Sequence, residues 1–284
     1  MKQKLIILLS LSILIFFTAC SNSTVKTNEN DKWKKYSNYY STVVQYSGEN
    51  DGGKKYLEIA RKSAELFPVL EENVGAFVMD AYNYQSNDSE GTPLYNWNTF
   101  HYPEEIDPNG RSIRVSKNYF RHNPINASND VNLEEQIIYD DMVLNILVPE
   151  KYKNKEEQII KAYLDNFYFE KVTAENHYNE EAGIKEKLEI SKDDLKINII
   201  YVKDNQKYFT FRKDCAALTD NIIEDPIVQI YTSNIHCNYA HSILSQWCYF
   251  YSEKGSADEV YSEILPLLKQ CGADNIKKVE SICS

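Results

Sequence analysis

The sequence contains no G-x-S-x-G, no H-E-x-x-H, no Walker loop and no G-x-G-x-x-G. Those absences remove the usual signatures of serine hydrolysis, zinc peptidase chemistry, ATP hydrolysis and dinucleotide binding. No run of about 20 apolar residues occurs, which excludes a polytopic membrane protein. Basic charge is short as well: 31 Lys and Arg stand against 42 Asp and Glu, a net charge of −11. Nothing in that balance would replace counterions along a phosphate backbone, so no nucleic-acid partner is expected. Arginine is scarce, five residues against 26 lysines, and the 284 residues hold only nine Gly and eight Pro. What is present is an ordinary globular mixture, 43% apolar and 26% charged, which excludes wholesale disorder. The length allows one large domain or two small ones. The 22 Tyr and 27 Asn, with the lysines, are residues of AT-rich codons, so codon bias is the expected main cause of the Tyr count, with a sticky binding face as the alternative.

The first twenty residues read as an address. Lys2 and Lys4 precede an apolar stretch from Leu5 to Phe17, and Thr18-Ala19-Cys20 follows. A basic start, 7–15 apolar residues and small residues before a cut make a secretory signal. FTAC resembles the bacterial lipobox, in which Cys20 is diacylated and becomes the new N-terminus. At about 1.5 Å per residue the apolar stretch covers roughly 20 Å, short of a hydrocarbon core of about 30 Å. Two acyl chains hold a protein on a membrane where one does not. The expected organisation is a signal over 1–19, a polar flexible tether over 20–32 and an extracytoplasmic domain over 33–284. An uncleaved N-terminal anchor is the alternative.

Five cysteines remain after Cys20: Cys215, Cys237, Cys248, Cys271 and Cys283. An exported chain permits disulfides, but five thiols cannot all pair internally. Idle thiols and a single disulfide both stay open. His236, Cys237, His241 and Cys248 are soft ligands at loose spacing that lacks the paired-knuckle pattern of structural zinc, so no metal and no cofactor is expected. Glu104-Glu105 and Asp140-Asp141 are adjacent carboxylates, expected to be solvated and not catalytic, because neighbours on a strand point to opposite faces. His101 and His122 are expected to be structural. Lys151, Lys153 and Lys155 read as a solvated helix start.

Along the chain, Leu57, Ala60, Ala64 and Phe67 fall on one helical face that Pro68 should end. A strand is expected over 74–81, then a long loop over 83–110, then strands at 113–115 and 143–148, the latter stopped by Pro149. Ile160, Tyr163, Leu164 and Phe167 predict a second helix. Leu195 to Tyr201 alternates with period two, and 207–211 should return beside it as a hairpin across the turn 203–206. Ile227 to Thr232 is a further strand. Ser256-x-x-Glu259 is a capping box for a last helix with Val260, Ile264 and Leu268 inward, kinked or split at Pro266 and closed at Gly272. Strands and helices do not alternate strictly. The expected class is α+β, a mixed sheet with helices mainly on one face, as one large or two-lobed domain.

With these segments placed, NYFRHNPI at 118–125, ILVPEKYKNKEEQII at 146–160, IYVKDNQKYFTF at 200–211 and DPIVQIYT at 225–232 occur in an order that resembles a known family. They look like the extracytoplasmic region of the bacteriocin-associated integral membrane proteins, permease-like relatives of FtsX/MacB-type ABC transporters. The resemblance covers roughly residues 40–280. It implies an external domain that receives or hands on peptides beside a separate ATPase, and it supplies no catalytic residue. The chain departs from the family by its lipobox and by ending at Ser284 without later membrane helices. The expectation is therefore a non-catalytic, lipid-anchored surface protein that binds a peptide or an ABC-transporter permease. A truncated permease and a secreted enzyme are the competing readings. The aromatic loop residues Tyr84, Tyr95, Trp97 and Phe100 are the expected binding patch, with Trp97 as its anchor.

Overall fold

A computed structural model describes residues 29–45, 53–85, 102–216 and 219–283. The strands in chain order are β1 (Tyr39–Val44), β2 (Phe77–Asp80), β3 (Ser112–Val115), β4 (Val143–Pro149), β5 (Lys196–Val202), β6 (Lys207–Phe209), β7 (Ile222–Glu224), β8 (Ile227–Ile230), β9 (Cys248–Tyr251) and β10 (Ile276–Ser281). Eight of them form one mixed sheet in the order β10-β1-β9-β2-β3-β8-β4-β5, and β6 pairs with β7 separately. The helices are α1 (Glu29–Lys34), α2 (Lys54–Asn73), α3 (Tyr82–Gln85), α4 (Pro108–Arg111), α5 (Tyr119–His122), α6 (Leu133–Gln136), α7 (Glu156–Tyr168), α8 (Ala174–Glu181), α9 (Cys237–Gln246) and α10 (Ala257–Gln270). The α+β class is as expected. The first described helix, α1, begins at Glu29, inside the stretch expected to be tether, and it leads into the buried Trp33.

Strand alternation sorts the core into two faces. Phe77, Met79, Val115, Leu147, Val228 and Tyr249 point to one face, where Tyr119, Tyr208, Phe209 and Phe211 close over them. Val78, Cys248, Phe250 and Val279 point to the other, under Leu66, Leu70, Leu244 and Ile264 of α2, α9 and α10. Farther along that second face, Leu144, Ile146 and Val148 meet Ile159, Tyr163 and Phe167 of α7. The four long helices thus share one face. All seven residues of β4 are buried, as a strand covered on both sides requires.

Three local expectations are corrected. Pro68 does not end α2, which runs on to Asn73, and Pro266 does not split α10. Both prolines are exposed, so the carbonyls they leave unpaired at Ala64 and Ser262 sit on the outer side. Leu66, Phe67 and Leu70 flank Pro68, and Ile264 and Leu268 flank Pro266; their burial holds each helix through its break. The third correction is the hairpin. β5 pairs in parallel with β4, while β6 pairs with β7. The other edge of β5 is occupied by residues 126–128: Ser128 N–H donates to Tyr201 C=O at 2.9 Å and Lys203 N–H to Asn126 C=O at 3.0 Å. The intervening turn is tied elsewhere, since the Asp225 carboxylate accepts from Asn205 N–H at 3.0 Å and Gln206 N–H at 2.7 Å.

The cap of α10 forms in altered shape. Ser256 Oγ accepts from Glu259 N–H at 3.3 Å, and the Glu259 carboxylate accepts from Ser256 Oγ at 2.9 Å instead of from the backbone. Gly272 ends that helix at φ 61°, which lets Ala273 N–H reach back to Leu268 C=O at 2.9 Å.

Candidate functional site

On the helical face the apolar packing is interrupted over β3. The register places Asp80 of β2 opposite Arg114 of β3, and Arg114 opposite Gln229 of β8. Directly paired residues share a face, so these three polar side chains form a row across adjacent strands. To one side stand α2 and α9, to the other α7. Over the row lies a cavity of about 200 Å³, lined by Asp80, Arg114, Asn166, Glu170, Gln229 and Tyr239 among others.

Each lining group is held by its neighbours. Arg114 Nη2 donates to Glu170 Oε2 at 2.6 Å and to Gln229 Oε1 at 2.7 Å. Gln229 Nε2 donates to Ser112 Oγ at 2.9 Å, and Ser112 Oγ donates to Pro108 C=O at 2.8 Å. Asn166 Nδ2 reaches Glu170 Oε2 at 3.2 Å. Tyr239 OH donates to Asp80 Oδ2 at 2.9 Å, and Tyr82 N–H donates to Asp80 Oδ1 at 3.0 Å. The Arg114 guanidinium also lies over the Tyr239 ring, 4.4 Å from its centroid. Glu170 projects from a π-helical turn, Phe169–Thr173, between α7 and α8. Such turns are rare and concentrate at functional sites.

Burial dominates the electrostatics. It pushes the Asp80 carboxyl above its ordinary range, against the opposing pull of Tyr82 N–H and Arg114. Burial also works against the Arg114 charge, but Glu170, with Tyr239 and Asp80, outweighs it and raises the guanidinium pKa. His236, at the start of α9, packs 5.4 Å from the Tyr178 ring and 6.4 Å from the Tyr239 ring. Burial lowers its pKa to about 4, with Glu170 opposing and Arg114 assisting. Its Nδ1 is buried without a hydrogen-bond partner among the described residues. Perturbed titratable groups gathered around a cavity are the physical mark of a candidate binding or catalytic site.

Cys20, Tyr95, Trp97, Phe100 and His101 lie outside the described residues. Tyr84 is half-buried with Arg111 6.0 Å from its ring, and it does not line the cavity. His122 accepts or donates through Nδ1 to Tyr39 OH at 2.9 Å and packs against Phe77, 4.7 Å between rings. Glu104 pairs with Arg111 and Glu105 with Lys155, while Lys151 pairs with Asp225 at 2.8 Å and Lys153 with Glu150 at 2.6 Å. Asp141 pairs with the buried Lys171 at 2.6 Å. Among the described residues no group of three His, Cys, Asp or Glu side chains is arranged to hold a metal. Cys215, Cys237, Cys248, Cys271 and Cys283 are all free thiols.

Sequence reasoning passed over the cavity residues. Arg114 reads as the solvent side of an alternating strand, and Gln229 sits unremarked in the apolar run IVQI. The signal was there: a polar residue centred in a short apolar strand is costly when both faces are covered, unless it has a partner. Comparison with known protein families, with characterised proteins and with solved structures finds no match to this chain.

Proposed function

We propose that this chain is a lipid-anchored binding protein of the outer face of the cell membrane, with the cavity over Arg114 as its ligand site. The observation that carries the reading is the convergence of Asp80, Arg114, Glu170 and Gln229 on one cavity at the seam between two helix groups. Preorganised donors and acceptors in a half-enclosed space fix a small polar ligand, or one end of a peptide, without moving the backbone. The function is binding without turnover. Tethering through acylated Cys20 raises the effective concentration near membrane partners, up to about millimolar for a short linker, so weak docking to a transporter permease suffices.

The test has two arms. Metabolic labelling with a tagged fatty acid marks the wild-type chain and not the Cys20→Ser variant; equal label on both removes the anchor. The full chain, purified from membranes and denatured, releases a small molecule or peptide that mass analysis detects. The Arg114→Met/Glu170→Met variant releases none. Equal release from both removes the cavity as the site, and conversion of the released molecule by the intact protein removes the non-catalytic reading.

A further inference from the structure

Arg114 carries five N–H donors in a planar fork. Its Nη2 is spent on Glu170 and Gln229, while Nε and Nη1 donate to no protein group among the described residues. The side chain is only 9% exposed, and neither of these donors is shut off from solvent altogether. Next to it Glu170 shows the opposite deficiency. Its Oε2 accepts from Arg114 and Asn166, and its Oε1 accepts nothing among the described residues. Unused donors and an unused carboxylate oxygen therefore border the same cavity, on two side chains that touch at 2.6 Å.

Three features restrict what fits. The first is charge. Arg114 and Glu170 cancel, and burial pushes the Asp80 carboxyl toward its neutral form, so a ligand of net charge would enter uncompensated, at the high cost of burying an unpaired ion. The second is valence: with Nη2 spent, the guanidinium has single donors left that call for an acceptor oxygen, and the free carboxylate oxygen beside them calls for a cationic donor. The third is size. A cavity of about 200 Å³ is below the roughly 300–1,000 Å³ of sites for drug-sized ligands.

We infer that the cavity binds a free α-amino acid as its zwitterion, with the ligand carboxylate accepting from the unused donors of Arg114 and its ammonium on Glu170 Oε1. The inference rests on the cavity being the ligand site and adds the chemistry it selects.

The experiment is calorimetry on the full chain purified from membranes, with the proteinogenic α-amino acids added singly. Each binder is then compared with its decarboxylated amine and its deaminated acid. At least one amino acid binds, and both of its truncated analogues bind at least about 30-fold more weakly, the loss of one charge-assisted hydrogen bond set. Glu170→Gln weakens the amino acid and strengthens the deaminated acid, whose charge then meets an uncancelled Arg114. Arg114→Met/Glu170→Met, which keeps the side-chain volume and removes both charges together, binds neither while its circular dichroism stays that of the wild type. An amine or acid that binds as tightly as its parent amino acid overturns the inference. If no amino acid binds but a peptide pool does, and the double variant loses the pool, the zwitterion falls and the cavity stands. If binding of any probe is unchanged in the double variant, both fall.

Discussion

One face of the eight-stranded sheet is closed by rings and a two-stranded sheet, the other by α2, α7, α9 and α10 over aliphatic side chains. On the first face Phe77 packs within 6.3 Å, ring centre to ring centre, of Tyr39, Tyr119, His122, Phe211 and Tyr249. That cluster runs unbroken from Tyr249 of β9 to Val202 of β5. On the second face the aliphatic packing divides in two, because Asp80, Arg114 and Gln229 occupy the inward positions between the halves. Packing on the first face is therefore a stability device. The break in the second face costs apolar burial and supplies a preorganised polar cavity in exchange.

Substitutions that act on one face and spare the other sharpen this contrast. The largest effect is expected from Phe77→Ala, which empties a fully buried ring site and costs about 3–5 kcal/mol by denaturant unfolding. A cost below about 1 kcal/mol would mean that the aromatic face collapses around the gap and is not closely packed. Next comes the cavity. Arg114→Met leaves Glu170 facing the cavity without its cation and costs about 2–3 kcal/mol, less than for full burial because Glu170 keeps 18% of its side chain exposed. The paired Arg114→Met/Glu170→Met chain unfolds within about 1 kcal/mol of wild type, or above it, since apolar replacement of a buried ion pair is often neutral or stabilising. A double variant that unfolds as readily as the single one would make the pair a structural bond and end the contrast.

His236 gives a smaller effect with a definite sign. Its pKa is about 4 in the folded chain against 6.5 in the unfolded reference. The unfolded state binds more protons between those values, so stability is full above about pH 6.5 and falls as pH drops toward 4. Allowing for partial exposure, the loss is about 2 kcal/mol, and His236→Gln removes that part of the slope. Melting curves of the two proteins from pH 7 to 4 check it; parallel curves would show that His236 is not buried neutral at the start of α9. The smallest effect belongs to the helical face away from the cavity. Ser256→Ala removes the α10 cap and costs about 1 kcal/mol in unfolding experiments, with ligand binding unchanged.

Periodicity located β3, β4, β8, the helix α7 and the inner face of α10 because each lies mostly within a local apolar pattern. It also found the Ser256 cap, which needs only residues three apart. It did not find α9, β1, β9 or β10, whose segments mix aromatic, Cys and charged residues without a clean repeat. The inner face of α7 is Ile159, Tyr163 and Phe167 with Ala162, one position round from the expected stripe, since the sheet below selects which apolar residues turn inward.

The sequence by itself determined the short apolar stretch before Cys20, the acidic balance, the α+β class and the capped last helix. All of these depend on composition or on residues within a few positions of one another. The tertiary structure decided the pairing of β5 and β6, because the free edge of β5 could be taken by residues 126–128 as well as by the next strand, and only long-range closure chooses. It decided that Pro68 and Pro266 stay within helices, because burial of flanking leucines outweighs one lost hydrogen bond on the exposed side. It decided the candidate site for the same reason. Asp80, Arg114, Glu170 and Gln229 are scattered over 150 residues of chain, and only sheet register and the π-helical turn set them around one cavity.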